Sequence, residues 1–352
     1  MKLRIALLPG DGIGPEVVGQ SVAVLEAVGR KFSHELEAKE GLIGGCAIRA
    51  AGDPLPADTI ALVKAVGAVL MGSVGHPDFD ALPPEKRPEK GLLRLRKELN
   101  VFANLRPARC LPALADLSPL RREVVEGTDM IIIRELTGGI YYGTPRGVQE
   151  VNGVMTAINT MVYTRPEIER LARVGFKLAS LRGKLVTSVD KANVLENSQF
   201  WRETVTTLRD KEFPDIQLDH QLVDSCAMLI VQNPKRFDVV ITENLFGDIL
   251  SDESAVLTGS IGMLPSASLG ERTGLYEPVH GSAPDIAGKG IANPLGAILS
   301  MAMMLRHSFN LEKEALAVEK AVVSAIEAGV RPRDLKGQAT TEQVGQAVIG
   351  AL

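Results

Sequence analysis

The stretch LRIALLPGDGIGPEVV, residues 3–18, decides how the chain folds. Leu3–Leu8 is a nearly unbroken apolar run, which reads as a strand buried on both faces. Pro9-Gly10 ends it, and Pro15 opens a helical pattern through Val17, Val18, Val22, Leu25 and Val28. Strand, glycine-rich turn and helix in that order form the repeating unit of α/β proteins. The alternation recurs at AVGAVLM (65–71), DMIIIRE (129–135), KLVTSV (184–189) and FDVVITE (237–243), each followed by helix-like or glycine-rich sequence. The expected fold class is therefore α/β, with mostly parallel sheets flanked by helices.

The last third adds two long helical patterns, NPLGAILSMAMMLRHSF (293–309) and LEKEALAVEKAVVSAIEAG (311–329). Between Pro145 and Arg165 the chain alternates apolar and polar residues around Asn152-Gly153, the signal of a hairpin. Neither an internal repeat nor a linker between autonomous halves is visible.

The 352 residues, 45% of them hydrophobic and 23% charged, leave room for about two domains. A net charge of −4 without long Lys/Arg blocks gives no footprint for nucleic acid or an anionic membrane, so a small-molecule partner is expected. Cys46, Cys110 and Cys226 are scattered, which suits a reducing compartment, and no long apolar span is present. The expected location is cytoplasmic.

PGDGIGPE (9–16) sits where backbone N–H groups can receive an anion. It is not the dinucleotide fingerprint, because Pro15 stands where the third glycine of G-x-G-x-x-G belongs. A tight structural turn and a ligand contact are about equally good readings of it.

ENLFGDILSDESA (243–255) raises a sharper question. Its helical apolar pattern puts Asp248 and Asp252 on one edge, where two like charges repel by roughly 0.2–0.5 kcal/mol. With Asp224 of LVDSCAM they supply oxygen-only ligands, which suit Mg2+ or Mn2+ and leave positions for water and substrate. Taken alone, a solvated acidic helix edge is the better reading of them. Arg96, Arg106 and Arg134 lie on other loop-like or element-terminal segments, and planar guanidinium forks suit a substrate with more than one carboxylate. Lys191 stands between a strand and a helix, where proximity to a cation and arginines would disfavour its ammonium form and make it a base. Tyr141, flanked by glycines, is either a proton donor or a rim aromatic. EPVHGSAPDIAGKGIANP (277–294) is rich in small residues, so a flat ligand can approach its backbone around His280 and Gly281. Asp285 there suits a ribose diol and would repel a 2′-phosphate.

LPGDGIGPEV, GLLRLRKEL, FANLRPA, RELTGGIYYG, NTMVYTRPEIERLAR, SVDKANVLE, FGDILSDE, GSIGMLPSASLG and EPVHGSAPDIAGKGIANP resemble, in this order and over nearly the whole chain, the β-decarboxylating dehydrogenases of isocitrate and isopropylmalate. The resemblance implies a two-domain α/β fold distinct from the common dinucleotide-binding fold. Its cofactor-binding domain would be discontinuous, 1–101 plus 259–352. A central substrate, metal and dimerisation domain would span 102–258, with a hairpin arm near 144–163. It implies NAD+ and Mg2+ or Mn2+ as cofactors. Arg96, Arg106 and Arg134 would bind the malate carboxylates, and Asp224, Asp248 and Asp252 the metal. Lys191 would be the general base and Tyr141 the acid. Ile13, Glu277, His280, Gly281, Ser282, Ala283, Asp285, Ala292 and Asn293 would line the cofactor site. In the family the lysine and the first aspartate reach the site from a second copy, so a homodimer is expected to share its active sites, with Asp224 touching substrate as well as metal.

Substrate choice rests on a helix starting near Glu89, where Leu92 and Leu93 neighbour Arg96 and Arg94 turns away. Apolar groups beside a carboxylate clamp suit the branched alkyl group of isopropylmalate. Isocitrate, homoisocitrate or tartrate as substrate is the alternative. A non-catalytic nucleotide-binding protein is a third reading, opposed by the matched acid, base and metal ligands.

Overall fold

Lys2–Gly10 pairs in parallel with Glu35–Glu40 on one side and Ala68–Ser73 on the other, the register expected where a helix returns the chain between strands. The computed structural model describes residues 1–352, apart from the side chain of Pro84. Two units emerge, one of Met1–Val101, Leu111–Ser118 and Thr258–Leu352, the other of Phe102–Cys110 and Pro119–Leu257.

In the first unit Gly274–Pro278 joins Ala68–Ser73 in parallel and Pro265–Leu269 in antiparallel fashion. One core cluster gathers Ala6, Leu8, Val69 and Met71 from the strands with Leu55, Val63, Leu95 and Leu99 from the following segments. The Gly14–Phe32 helix carries Pro15 in its first turn and buries Val17, Val18, Leu25 and Val28, the stripe read from the sequence. Leu295–Phe309 and Glu312–Glu327 are the two late helices.

In the second unit Asp129–Glu135 pairs antiparallel with Ala103–Arg109 and parallel with Val239–Thr242, which continues in parallel to Leu185–Asp190 and then Gln217–Leu222. Each unit is thus mainly parallel with one antiparallel pair, a mixture common in large sheets. The central strands are buried throughout because helices cover both faces. Arg165–Ser180 starts with a capping box between Thr164 and Glu167 and turns Ile168, Leu171, Ala172 and Phe176 inward. Gly147–Val151 and Val154–Ile158 form the separate hairpin around Asn152-Gly153, with Val148, Val154 and Met155 exposed.

Among the described residues no helix is long and apolar enough to cross a membrane.

Candidate active site

ENLFGDILSDESA is helical from Asn244 to Ala255. Glu243 caps it, its carboxylate accepting from the backbone N–H groups of Leu245 at 3.0 Å and Phe246 at 2.7 Å. Asp248 and Asp252 share an edge as expected, yet their repulsion is relieved by arginines of the same chain. Arg134 Nη1 donates to Asp248 Oδ1. Arg106 Nη1 donates to Asp252 Oδ1 at 2.9 Å and to Ser251 Oγ at 2.8 Å. Opposite charges within hydrogen-bonding reach offset the helix-edge term several times over.

Tyr141 completes this group. Its hydroxyl donates to Asp248 Oδ2 at 3.0 Å, and its ring lies 5.8 Å from the Arg134 guanidinium carbon. Burial and the Asp248 charge push the phenol above its ordinary value, which keeps it protonated and able to donate. The loop that carries it is shaped by a buried layer that sequence reasoning missed. Glu135 accepts from Thr137 N at 2.9 Å and Gly138 N at 2.7 Å. Tyr163 lies under the glycines and donates its hydroxyl to Glu243 Oε2 at 3.2 Å. A Cβ on Gly139, whose φ is +75°, would stand 2.3 Å from that hydroxyl oxygen, so only glycine lets the loop approach. Burial pushes both the Glu135 and Glu243 carboxyls up, against the pull of their N–H donors. The one legible trace was Glu-Asn ahead of an apolar helical run, an N-cap signal.

Lys191 follows the Leu185–Asp190 strand, and its ammonium donates to Asp224 Oδ1 at 2.6 Å. That hydrogen bond holds the Asp224 carboxyl below its ordinary value. Within this chain Asp224 stands apart from Asp248 and Asp252, and among the described residues no group of three metal-capable side chains forms; the resemblance places Asp224 in the site of a second copy. Asp248 and Asp252 share the Asn244–Ala255 helix, whereas Asp224 lies on the Val223–Gln232 helix and pairs with Lys191 at the end of another strand.

The first unit assembles the other residues. On the Pro88–Glu98 helix, Arg96 Nη2 donates to Glu277 Oε1 at 2.9 Å, and Arg96 Nε is buried with no partner. Leu93 is exposed, whereas Leu92 packs partly buried against the core. Arg94 does turn away, to Asp53 and the Leu55 carbonyl.

The glycine loop is anchored by its own aspartate. Asp11, itself buried, accepts from the backbone N–H groups of Gly45 at 2.7 Å, Cys46 at 2.8 Å and Gly75 at 2.9 Å. The loop thus supplies an anion to amides of two neighbouring segments. Ile13 N donates to the Ser282 carbonyl at 2.8 Å, and a Cβ on Gly12 would stand 1.9 Å from that oxygen. Ile13 packs with Ala292, Ala283 and Ile286, so the structure brings the loop onto the 277–294 segment. In that segment His280 Nδ1 lies 3.0 Å from the Gly281 carbonyl while Nε2 is buried without a partner. Burial pushes this imidazole down, toward the neutral form with Nε2 as a bare acceptor. Asp285 is exposed, and Asn293 is held by Asp334 at 2.8 Å, a residue not anticipated.

Two acidic side chains one turn apart, 34% and 65% exposed, fit a hard cation that keeps oxygens from water and substrate. Orphaned Arg96 Nε and His280 Nε2 fit a carboxylate and a hydrogen-bond donor of a ligand.

The family model described as isocitrate/isopropylmalate dehydrogenase matches residues 4–348. A 3-isopropylmalate dehydrogenase of Aquifex aeolicus is 58% identical over 334 residues, covering 95% of this chain and 92% of that one. The same-named protein of Oleidesulfovibrio alaskensis is 57% identical, covering 100% and 99%. Among solved structures, isocitrate dehydrogenase from Methylococcus capsulatus superposes with a TM-score of 0.85 at 35% identity, covering 99% of this chain and 98% of that chain.

Proposed function

The chain belongs to the isocitrate/isopropylmalate dehydrogenase family, and from that premise we propose that it oxidatively decarboxylates 3-isopropylmalate to 4-methyl-2-oxopentanoate with NAD+ and Mg2+ or Mn2+, a step of leucine biosynthesis. The observation that carries this reading is the hydrogen-bonded run Arg134, Asp248, Tyr141 beside Arg106 and Asp252. In this reading it supplies two carboxylate clamps, an acid and two metal ligands within one unit.

In this reading Arg106, Arg134 and Arg96 hold the malate carboxylates, the last through its unpaired Nε. Leu93, with Leu92 behind it, takes the alkyl group. Lys191 accepts the C2 hydroxyl proton. Bound NAD+ supplies the hydride acceptor, and a divalent cation held by Asp248 and Asp252 supplies the Lewis acid for both steps. Tyr141 delivers a proton to C3 once carbon dioxide has left. Ile13, Glu277, His280, Gly281, Ser282, Ala283, Asp285, Ala292 and Asn293 line the cofactor site.

Lys191 and Asp224 serve the site of a second copy, which supplies the missing third carboxylate and makes the homodimer a condition of catalysis. Support comes from the apolar surface of the second unit, where Met228, Ile249, Val148, Val154 and Met155 are exposed. The cytoplasm suits a biosynthetic role of this kind.

The test is NADH absorbance with purified protein, NAD+, Mg2+ and either 3-isopropylmalate or isocitrate. Turnover on 3-isopropylmalate that EDTA abolishes is expected. Preference for isocitrate would leave the site intact and overturn the role given to Leu92 and Leu93.

A further inference from the structure

Asn244 opens the helix that carries Asp248 and Asp252, and the three residues, spaced by four, form one stripe along it. It is the buried end of that stripe, at 1% exposure. Its side-chain amide bonds in two directions: Oδ1 accepts from Arg134 Nε at 2.9 Å, and Nδ2 donates to the Gly138 carbonyl at 3.1 Å. Its backbone N–H donates to the Tyr163 hydroxyl at 2.9 Å. Chemistry dictates the orientation of the amide, since an arginine Nε only donates and a carbonyl only accepts.

We propose that Asn244 is a positioning residue that ties the carboxylate clamp Arg134 to the loop bearing the acid Tyr141, so that one buried amide sets both. This rests on the roles given to Arg134 and Tyr141 above. The Arg134 guanidinium is held at Nε by Asn244 and at Nη1 by Asp248, two acceptors one helical turn apart, which sets its plane. The Tyr141 loop is held from the same helix twice, at Gly138 by Asn244 and at the phenol by Asp248. Neutrality is part of the role. An aspartate at this position would keep an acceptor for Arg134 but turn a second oxygen toward the Gly138 carbonyl, and would add a third charge to the stripe.

The experiment compares Asn244→Asp and Asn244→Ala, each alone and in a Tyr141→Phe background, as purified dimers whose folding is checked by thermal unfolding. Steady-state constants are measured with 3-isopropylmalate, NAD+ and Mg2+, and the Kd of 3-isopropylmalate with Mg2+ by calorimetry. Asn244→Asp should lower kcat roughly tenfold or more, with Kd within about twofold of wild type. Asn244→Ala should also raise Kd by on the order of tenfold, with Asn244→Ser read instead if it does not fold. In the Tyr141→Phe background, Asn244→Asp should cost less than about twofold more, because it acts through that hydroxyl. Equal losses in both backgrounds, or an unchanged kcat in folded Asn244→Asp, overturn the inference. Wild-type protein that binds 3-isopropylmalate without converting it defeats the functional reading instead, while the Kd contrast between the variants still decides the Arg134 half.

Discussion

Arg96 on the Pro88–Glu98 helix and Glu277 on the Gly274–Pro278 strand form a hydrogen-bonded ion pair at 2.9 Å, both largely buried, so a proposed substrate clamp is held by a proposed cofactor-site residue. The carboxylate occupies one guanidinium nitrogen and leaves Nε bare. Glutamine at this position keeps an acceptor for Arg96 but removes the charge, a loss of about 1 kcal/mol. Glu277→Gln should therefore raise KM for 3-isopropylmalate by roughly fivefold. A change confined to KM for NAD+ would show that Glu277 does not act through Arg96.

Metal removal gives a second expectation. With Asp248 held by Arg134 and Asp252 by Arg106, the protein retains its ion pairs without a cation, so chelation should stop turnover without unfolding the chain. Asp252→Asn keeps an acceptor for Arg106 but loses the charge a cation needs, and should raise the Mg2+ concentration for half-maximal rate about tenfold or more. The paired readouts are rate against Mg2+ and circular dichroism; loss of helix signal on adding EDTA would contradict the expectation.

Assembly is tested at Ile249, an exposed apolar residue on the same helix as the carboxylates. Ile249→Glu would bury a charge at the proposed dimer contact, and should shift sedimentation toward the monomer and remove activity together. Mixing inactive Lys191→Ala and Asp248→Ala chains should restore some activity in heterodimers. Confirmed subunit exchange with no recovery would mean that Lys191 serves its own chain.

Cofactor choice rests on exposed Asp285. Its carboxylate should favour a ribose diol over a 2′-phosphate, so kcat/KM should be higher with NAD+ than with NADP+, and Asp285→Ala should narrow the gap. Tighter binding of NADP+ than NAD+ by the wild type would remove this role.

Stability against acid has an identifiable contributor in Glu314, which accepts from His34 Nε2 at 2.8 Å. Burial pushes its carboxyl up, but the hydrogen bond from His34, its own backbone N–H and the nearby Lys313 charge outweigh this and hold it below the usual 4.5. A depressed carboxyl contributes stability that is present above the unfolded value and lost as pH falls through the folded one. Glu314→Gln should be less stable than wild type by about 1 kcal/mol at neutral pH, and the difference should shrink in urea titrations below pH 4.5. A gap that stays constant with pH would point to packing rather than charge.

Strands, helices and the hairpin were legible because each is written in local order. Continuous apolar runs mark strands covered on both faces, Pro15 and the Thr164–Glu167 box mark helix starts, and Asn152-Gly153 marks a turn. The motif residues were legible too, through the family resemblance. Hidden from any local reading was the layer beneath them. Asp11, Tyr163, Glu243 and Asn244 read as ordinary loop or helix-start residues, and only the fold brings their partners from far along the chain.

By itself, then, the sequence determined the α/β class, the order of its elements and the chemical types available for a clamp, an acid, a base and a hard cation. Tertiary structure decided which of these meet. Asp248 and Asp252 find Arg134 and Arg106 because neighbouring strands deliver the arginines to the face where the helix begins, whereas Asp224 is carried off to Lys191. The glycine loop is fastened because Asp11 reaches amides that follow it by more than thirty residues. Spacing along a helix is a local property, but a hydrogen bond is made at about 3 Å, and such closeness between distant residues is set only when the sheets and helices have packed.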